Sequence, residues 1–166
     1  MSKKLFVNIA SLGLLQLANY VFPFLTVPYL SRVLSTSHYG LILFSLSFTT
    51  YFAILCDYGF GLTGTKAVAT NANQPEQLNR LVSNITVIKS ALFVFSLILN
   101  LIIVFSYGQF REYWFIYAIN IFTLINSIFF PTWFFQGMER MKYITLVQVA
   151  VRSLAVVLIL CIVKHD

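Results

Sequence analysis

Charge is scarce in this chain. Only 10% of its 166 residues are Asp, Glu, Lys or Arg, against roughly a quarter in a soluble domain, and the mean hydropathy is +0.84. A water-soluble globule is thereby excluded. Acid is scarcer still, with five Asp and Glu against eleven Lys and Arg, which leaves little from which to build paired-carboxylate chemistry or an oxygen-rich metal cage. The two cysteines, Cys56 and Cys161, lie in apolar stretches without metal-ligand spacing; they read as small packing residues and say nothing about redox compartment. His38 and His165 stand alone, and there is no DxD or HExxH, so neither a catalytic cluster nor a metal or other cofactor is expected. Long polar segments are missing too. The longest polar break, 66–80, carries Asn71, Asn73, Pro75 and Glu76 and is too short to fold alone. No internal repeat, low-complexity tract or lipidation signal extends the reading.

Long apolar runs are what the chain has. About 20 mostly apolar residues cross a hydrocarbon core of about 30 Å, and five stretches qualify: 5–30, 39–65, 81–107, 113–135 and 143–163. They are too long and too uniformly apolar for barrel strands, which would alternate over about ten residues. The expected fold class is therefore all-α, a polytopic transmembrane helical bundle of about five spans forming one membrane domain over 1–166. The apolar run after Lys3 and Lys4 continues past Gln16, Asn19 and Pro23, longer than a cleavable signal, so it reads as a retained first helix. Pro23, Pro28 and Pro131 are expected to interrupt or kink their helices. With the N-terminus inside, Lys3, Lys4, Lys66, Arg80, Arg140 and Lys142 fall on the inner side, and Arg32, Arg111 and Lys164 on the outer. The positive-inside rule favours that orientation, with His165 and Asp166 outside. The net charge of +6 then reflects topology and attraction to anionic lipids, and no nucleic-acid partner is expected.

Polar residues inside the spans follow the helical period. Gln16, Asn19, Pro23 and Thr26 share one face; Thr86, Lys89, Ser96 and Asn100 another; Asn120, Thr123, Ser127 and Pro131 a third; and Thr145, Gln148 and Arg152 a fourth. Such stripes can be helix packing or the lining of a polar cavity. Depth favours the cavity. Asp57 lies nine residues from Lys66, Lys89 nine from Arg80 and Arg152 ten from Lys142, which places all three roughly 13 to 15 Å from the inner edge. Ionisable groups so deep usually face a bundle interior or a water path. Asp57 and Lys89 sit at matching depth on antiparallel neighbours, as a structural salt bridge or with Asp57 as a proton- or sodium-coupling group. Arg152 has no acidic partner in sequence, and its planar fork suits phosphate oxygens. A cationic cavity for an anionic head group is expected, with Arg152, Lys89 and Arg32 as its cations and Gln16, Asn19, Asn100, Asn120 and Gln148 lining it. Arg32, at the outer helix end, is also read as a snorkelling anchor. Trp133 and Phe135 near the inner surface, and Tyr113 and Trp114 near the outer, read as aromatic belts.

Three segments carry a resemblance. The first comprises Asn19, Tyr20, Pro23, Pro28, Tyr29, Leu30, Arg32, Val33, Leu34, Tyr39 and Gly40; the second is Asp57-Tyr58-Gly59-Phe60 with Leu62, Thr63 and Thr65; the third comprises Pro131, Trp133, Phe135, Gln136, Gly137, Met138, Glu139 and Met141, with Arg152 following. In this order they resemble bacterial O-antigen flippases, the polysaccharide transporter branch of the multidrug, oligosaccharidyl-lipid and polysaccharide exporter superfamily. Ser35 and Gly64 stand where Gly and Ala are usual. Members are typically longer, with about twelve helices in two lobes, so the chain is expected to be most of one lobe, ending before a sixth helix. The resemblance implies flipping of an undecaprenyl-pyrophosphate-linked repeat unit across the bacterial inner membrane without covalent chemistry. It also implies as partners the lipid-linked oligosaccharide, membrane lipids and polysaccharide polymerase machinery. The alternatives are a membrane-embedded enzyme of polysaccharide assembly, a half-size exporter that dimerises, or a non-functional fragment.

Overall fold

The computed structural model describes residues 3–163, and among these there is no strand. Met1 and Ser2 lie outside the described residues, as do Lys164, His165 and Asp166, and with these three the outward placement read for them. The helices are α1 (Lys3–Val33), α2 (Thr36–Asp57), α3 (Phe60–Thr70), α4 (Pro75–Ser106), the single turn α5 (Gly108–Arg111), α6 (Trp114–Phe122), α7 (Asn126–Phe129), α8 (Thr132–Gly137) and α9 (Met141–Ile162), with a 3₁₀ turn at Thr123–Ile125 between α6 and α7. Among the described residues five stretches are long and apolar enough to cross a membrane: Leu5–Val33, Thr36–Thr70, Pro75–Ser106, Trp114–Gly137 and Met141–Ile162. The all-α, five-span reading holds. The chain divides into two compact units, 1–41 with 139–166, and 42–138.

In the first unit α1 packs along α9. The Thr145 hydroxyl donates to the Ser11 carbonyl at 2.9 Å, the Arg152 guanidinium to the Asn19 side-chain carbonyl, and the Tyr29 phenol to the Val163 carbonyl at 2.6 Å. The partners are 134, 133 and 134 residues apart. A constant offset means that the helices run parallel and in one register, as the first and fifth members of an alternating five-span chain must. α1 continues through Pro23 and Pro28, so the disturbance expected at those prolines stops short of breaking the helix. Each proline removes one donor from the ladder, but the turns on either side stay bonded, and the loss of single donors does not end a helix of 31 residues. Most of α1 presents large apolar side chains outward, among them Phe6, Leu17, Tyr20 and Phe24.

In the second unit two of the apparent spans are not single helices. α2 stops at Asp57, Tyr58 and Gly59 take φ of 43° and 83°, and α3 starts at Phe60. Glycine adopts this left-handed backbone freely, whereas a tyrosine there is uncommon. The second apolar stretch is thus built of two helices joined at Tyr58–Gly59. The fourth span is likewise segmented, and its last break falls at Phe130–Pro131, where a break was expected. Phe52, Cys56, Ile121 and Leu124 form one core cluster; Val68, Ile85 and Trp133 form another. The second cluster brings α3 against α8 very closely. A Cβ on Gly137 would lie 2.6 Å from Val68 and 2.8 Å from the Thr65 carbonyl oxygen, and one on Gly64 would lie 2.9 Å from the Trp133 ring. Two of the segments that carry the family resemblance therefore pack on one another. Trp133 is 2% exposed, which corrects its expected place in an aromatic belt: the bare backbone at Gly64 gives the indole a slot in the interior. Tyr113 and Trp114 remain exposed.

Candidate anion-binding groove

Arg152 sits eleven residues into the 22-residue α9, so about 16 Å of helix separates it from the helix start. It is half-buried and makes no salt bridge among the described residues. Its guanidinium donates to Asn19, whose own amide donates to Gln16 at 3.4 Å, and Gln16 in turn donates to the Tyr20 hydroxyl at 3.1 Å. The relay fixes the Asn19 carbonyl toward the guanidinium. Asn19 is neutral, so the positive charge of Arg152 is oriented but not cancelled, and four of its five N–H donors stay available. Asn19 and Arg152, with Phe22, Pro23, Thr26, Ala155, Val156 and Ile159, line an open groove of about 290 Å³. The face read from Asn19, Pro23 and Thr26 and the cation read at Arg152 thus come together, although the two had not been read as partners.

Lys89 has a different setting. It is 3% exposed, and its ammonium donates to Asp57 at 2.9 Å. The second carboxylate oxygen of Asp57 accepts from the Gly61 N–H at 3.3 Å, within the first turn of α3, where the helix dipole also favours an anion. One carboxylate therefore spans the break after α2 and neutralises a buried ammonium. The Asp57 side chain itself is 46% exposed, so the pair is sealed on the lysine side and open on the acid side.

The other polar residues read from the sequence are dispersed. Asn120 donates to the Ser45 hydroxyl at 2.8 Å, and the Cys56 thiol to the Ser96 hydroxyl at 3.4 Å, both inside the second unit. Asn100 is 1% exposed, and neither polar atom of its amide finds a partner among the described residues. Arg32 is exposed in the last turn of α1, where a cation suits the helix C-terminus, and it does not line the groove. Gln16 is exposed and acts through Asn19, while Gln148 is half-buried one turn before Arg152. Nothing in the amino-acid order marks the groove's apolar wall, Phe22, Ala155, Val156 and Ile159, because an apolar residue in an apolar span carries no sign of what it faces. The close approach at Gly137 had one available signal, a glycine within a helix, where it costs about 1 kcal/mol relative to alanine and needs a packing reason. Among the described residues no group of His, Cys, Asp and Glu could hold a metal ion.

No solved structure matches this chain significantly. Among proteins of known sequence, one named "Putative O-antigen transporter" from Escherichia coli (strain K12) is 30% identical over 139 residues, which is 84% of this chain and 34% of that protein. Another of the same name from Shigella dysenteriae is 31% identical over 159 residues, 95% of this chain and 39% of that protein. The chain thus spans between a third and two fifths of the length of these relatives. The polysaccharide biosynthesis protein family matches residues 5–165, a stretch that takes in both sides of the groove, the Asp57–Lys89 pair and the α3–α8 contact. With its five membrane-crossing stretches and a match along almost its whole length, this multi-pass membrane chain belongs to the polysaccharide biosynthesis protein family.

Proposed function

We propose that this chain serves in moving lipid-linked O-antigen or related polysaccharide repeat units across the bacterial inner membrane, with its N-terminus cytoplasmic, and that Arg152 contacts the phosphate linkage of the substrate. The observation that carries this reading is a guanidinium held at the middle of a membrane-crossing helix by a neutral amide, with its charge unmatched. Such a group is retained against a cost of at least about 3 kcal/mol, and a passing anion would offset that cost during translocation. Family membership and the names of the relatives support the same direction. In this reading the five spans form most of one lobe of a two-lobed transporter, which exposes its cavity to alternate sides by rocking. Lys89 does not share the task, because its charge is already met by Asp57; that pair holds the break between α2 and α3. Arg32 serves as an interfacial anchor.

The test is restoration of surface O-antigen in a strain lacking its exporter by the full chain and by Arg152→Gln. The expected result is export with the parent chain and none with Arg152→Gln, at equal membrane abundance and equal cysteine-labelling topology. Undiminished export by Arg152→Gln would remove Arg152 from the site.

A further inference from the structure

The buried polar residues of α4, Lys89, Ser96 and Asn100, share a face but differ in how their hydrogen bonds are met. Lys89 has Asp57. Ser96 and Asn100, 0% and 1% exposed, lie one helical turn apart within 42–138, and both are left short. Thr86, Ser90 and Ser106 on the same helix each donate to the carbonyl four residues back. The Ser96 hydroxyl instead accepts from the Cys56 thiol at 3.4 Å and donates to no protein group among the described residues. Neither the amide nitrogen nor the amide oxygen of Asn100 has a partner among them. A hydroxyl proton, both amide protons and an amide oxygen are therefore uncommitted within one turn of helix, in a layer sealed from the surface.

Leaving a buried amide unpaired is strongly unfavourable. Side chains on a helix lean toward its N-terminus, so the Asn100 amide leans over Ser96, and Cβ atoms four residues apart stand about 5–6 Å from one another. No direct bond joins the two side chains. Their spacing suits a donor and an acceptor bridged by one water, at about 2.8 Å to each. The antiparallel α2 brings a further acceptor. With Cys56 opposite Ser96, Asn100 comes level with Phe52, and the next buried residue along that face of α2 is Thr49. The Thr49 hydroxyl donates to the Ser45 carbonyl at 2.9 Å and keeps its lone pairs for another donor.

We infer that Ser96 and Asn100 hold an internal water that bonds to both and to the Thr49 hydroxyl, and so ties α4 to α2 inside the second unit. Internal waters make 2–4 hydrogen bonds each, and these groups supply them. A neutral ligand is implied rather than a cation, because Asp57, the acid nearest on α2, is already bound to Lys89. This site is independent of the transport reading.

Radiolytic labelling of the full chain in lipid nanodiscs, in buffer made with heavy-oxygen water, provides the test. A short X-ray pulse converts bound water to hydroxyl radical, which oxidises the side chain beside it, and mass spectrometry reads the labelled oxygen. Cys56 should be oxidised although N-ethylmaleimide does not alkylate it in the folded chain. Asn100→Leu, of the same branched shape but without hydrogen-bonding groups, should abolish that oxidation with the helical circular dichroism unchanged. Ser96→Ala, the milder change, should reduce it and decides the matter where Asn100→Leu fails to fold. No oxidation at Cys56 in the parent chain, or oxidation undiminished in the variants, overturns the site. Alkylation of Cys56 as fast as in the chain unfolded in dodecyl sulfate would overturn it too, since the space would then be open to bulk solvent.

Discussion

The two units treat a mid-helix cation in opposite ways. In 42–138 the ammonium of Lys89 is buried, paired with Asp57 at 2.9 Å, and surrounded by a core in which Ser45, Ser96 and Asn120 hydrogen-bond to other protein groups. Between α1 and α9 the guanidinium of Arg152 is half-buried, held by an amide, and open to a groove. A lysine with a carboxylate beside it is electrically complete and behaves as structure. An arginine beside an asparagine is positioned but left charged, which is the state an anion-binding group needs. Each cation stands near the middle of its own long helix, so the partner decides.

The comparison can be broken most strongly at the carboxylate. Asp57→Asn should destabilise the chain by about 2 kcal/mol, less than the roughly 3–5 kcal/mol of a fully buried pair because the acid side is half open. Adding Lys89→Met should restore most of the loss, since no charge then remains uncompensated. Both are read from denaturant unfolding in mixed micelles, and an Asp57→Asn chain as stable as the parent would deny the pair its structural role. Next in size is packing density. Gly137→Ala must displace Val68 or the backbone at Thr65 and should cost about 1–3 kcal/mol. Gly13→Ala on α1 meets nothing within 4 Å and should be neutral or stabilising by up to about 1 kcal/mol. Equal effects at the two glycines would erase the difference in packing between the units. The smallest effect expected is Thr145→Val, which removes the bond to Ser11 and should cost about 0.6 kcal/mol, a typical value between membrane helices, leaving the Arg152–Asn19 contact in place.

Much of this was legible in the amino-acid order. Length and hydropathy give the five spans with ends within about six residues, and the helical period places Asn19, Pro23 and Thr26 on one face. Depth counting marked Asp57, Lys89 and Arg152 as the residues to explain. Other features were not legible. Trp133 looks like an interfacial aromatic until its neighbour is seen to be Gly64, some seventy residues earlier in the chain. The break after Asp57 lies inside a stretch long and apolar enough to cross a membrane, and the turn is carried by two residues with positive φ. The polar stripe of α4 could equally have lined water; it turned out to be sealed, with Lys89, Ser96 and Asn100 all buried.

Composition by itself determined that this chain is helical and crosses a membrane, because a segment in hydrocarbon must satisfy its own backbone hydrogen bonds and only a helix does so locally. That argument needs no knowledge of what any segment touches. Which cation is neutralised and which is left free was decided by the tertiary structure alone, since an ion pair depends on a few ångströms between residues 32 positions apart, and the Arg152–Asn19 contact on a register held across 133. Periodicity sets which face of a helix a charge occupies, and only packing sets what stands opposite.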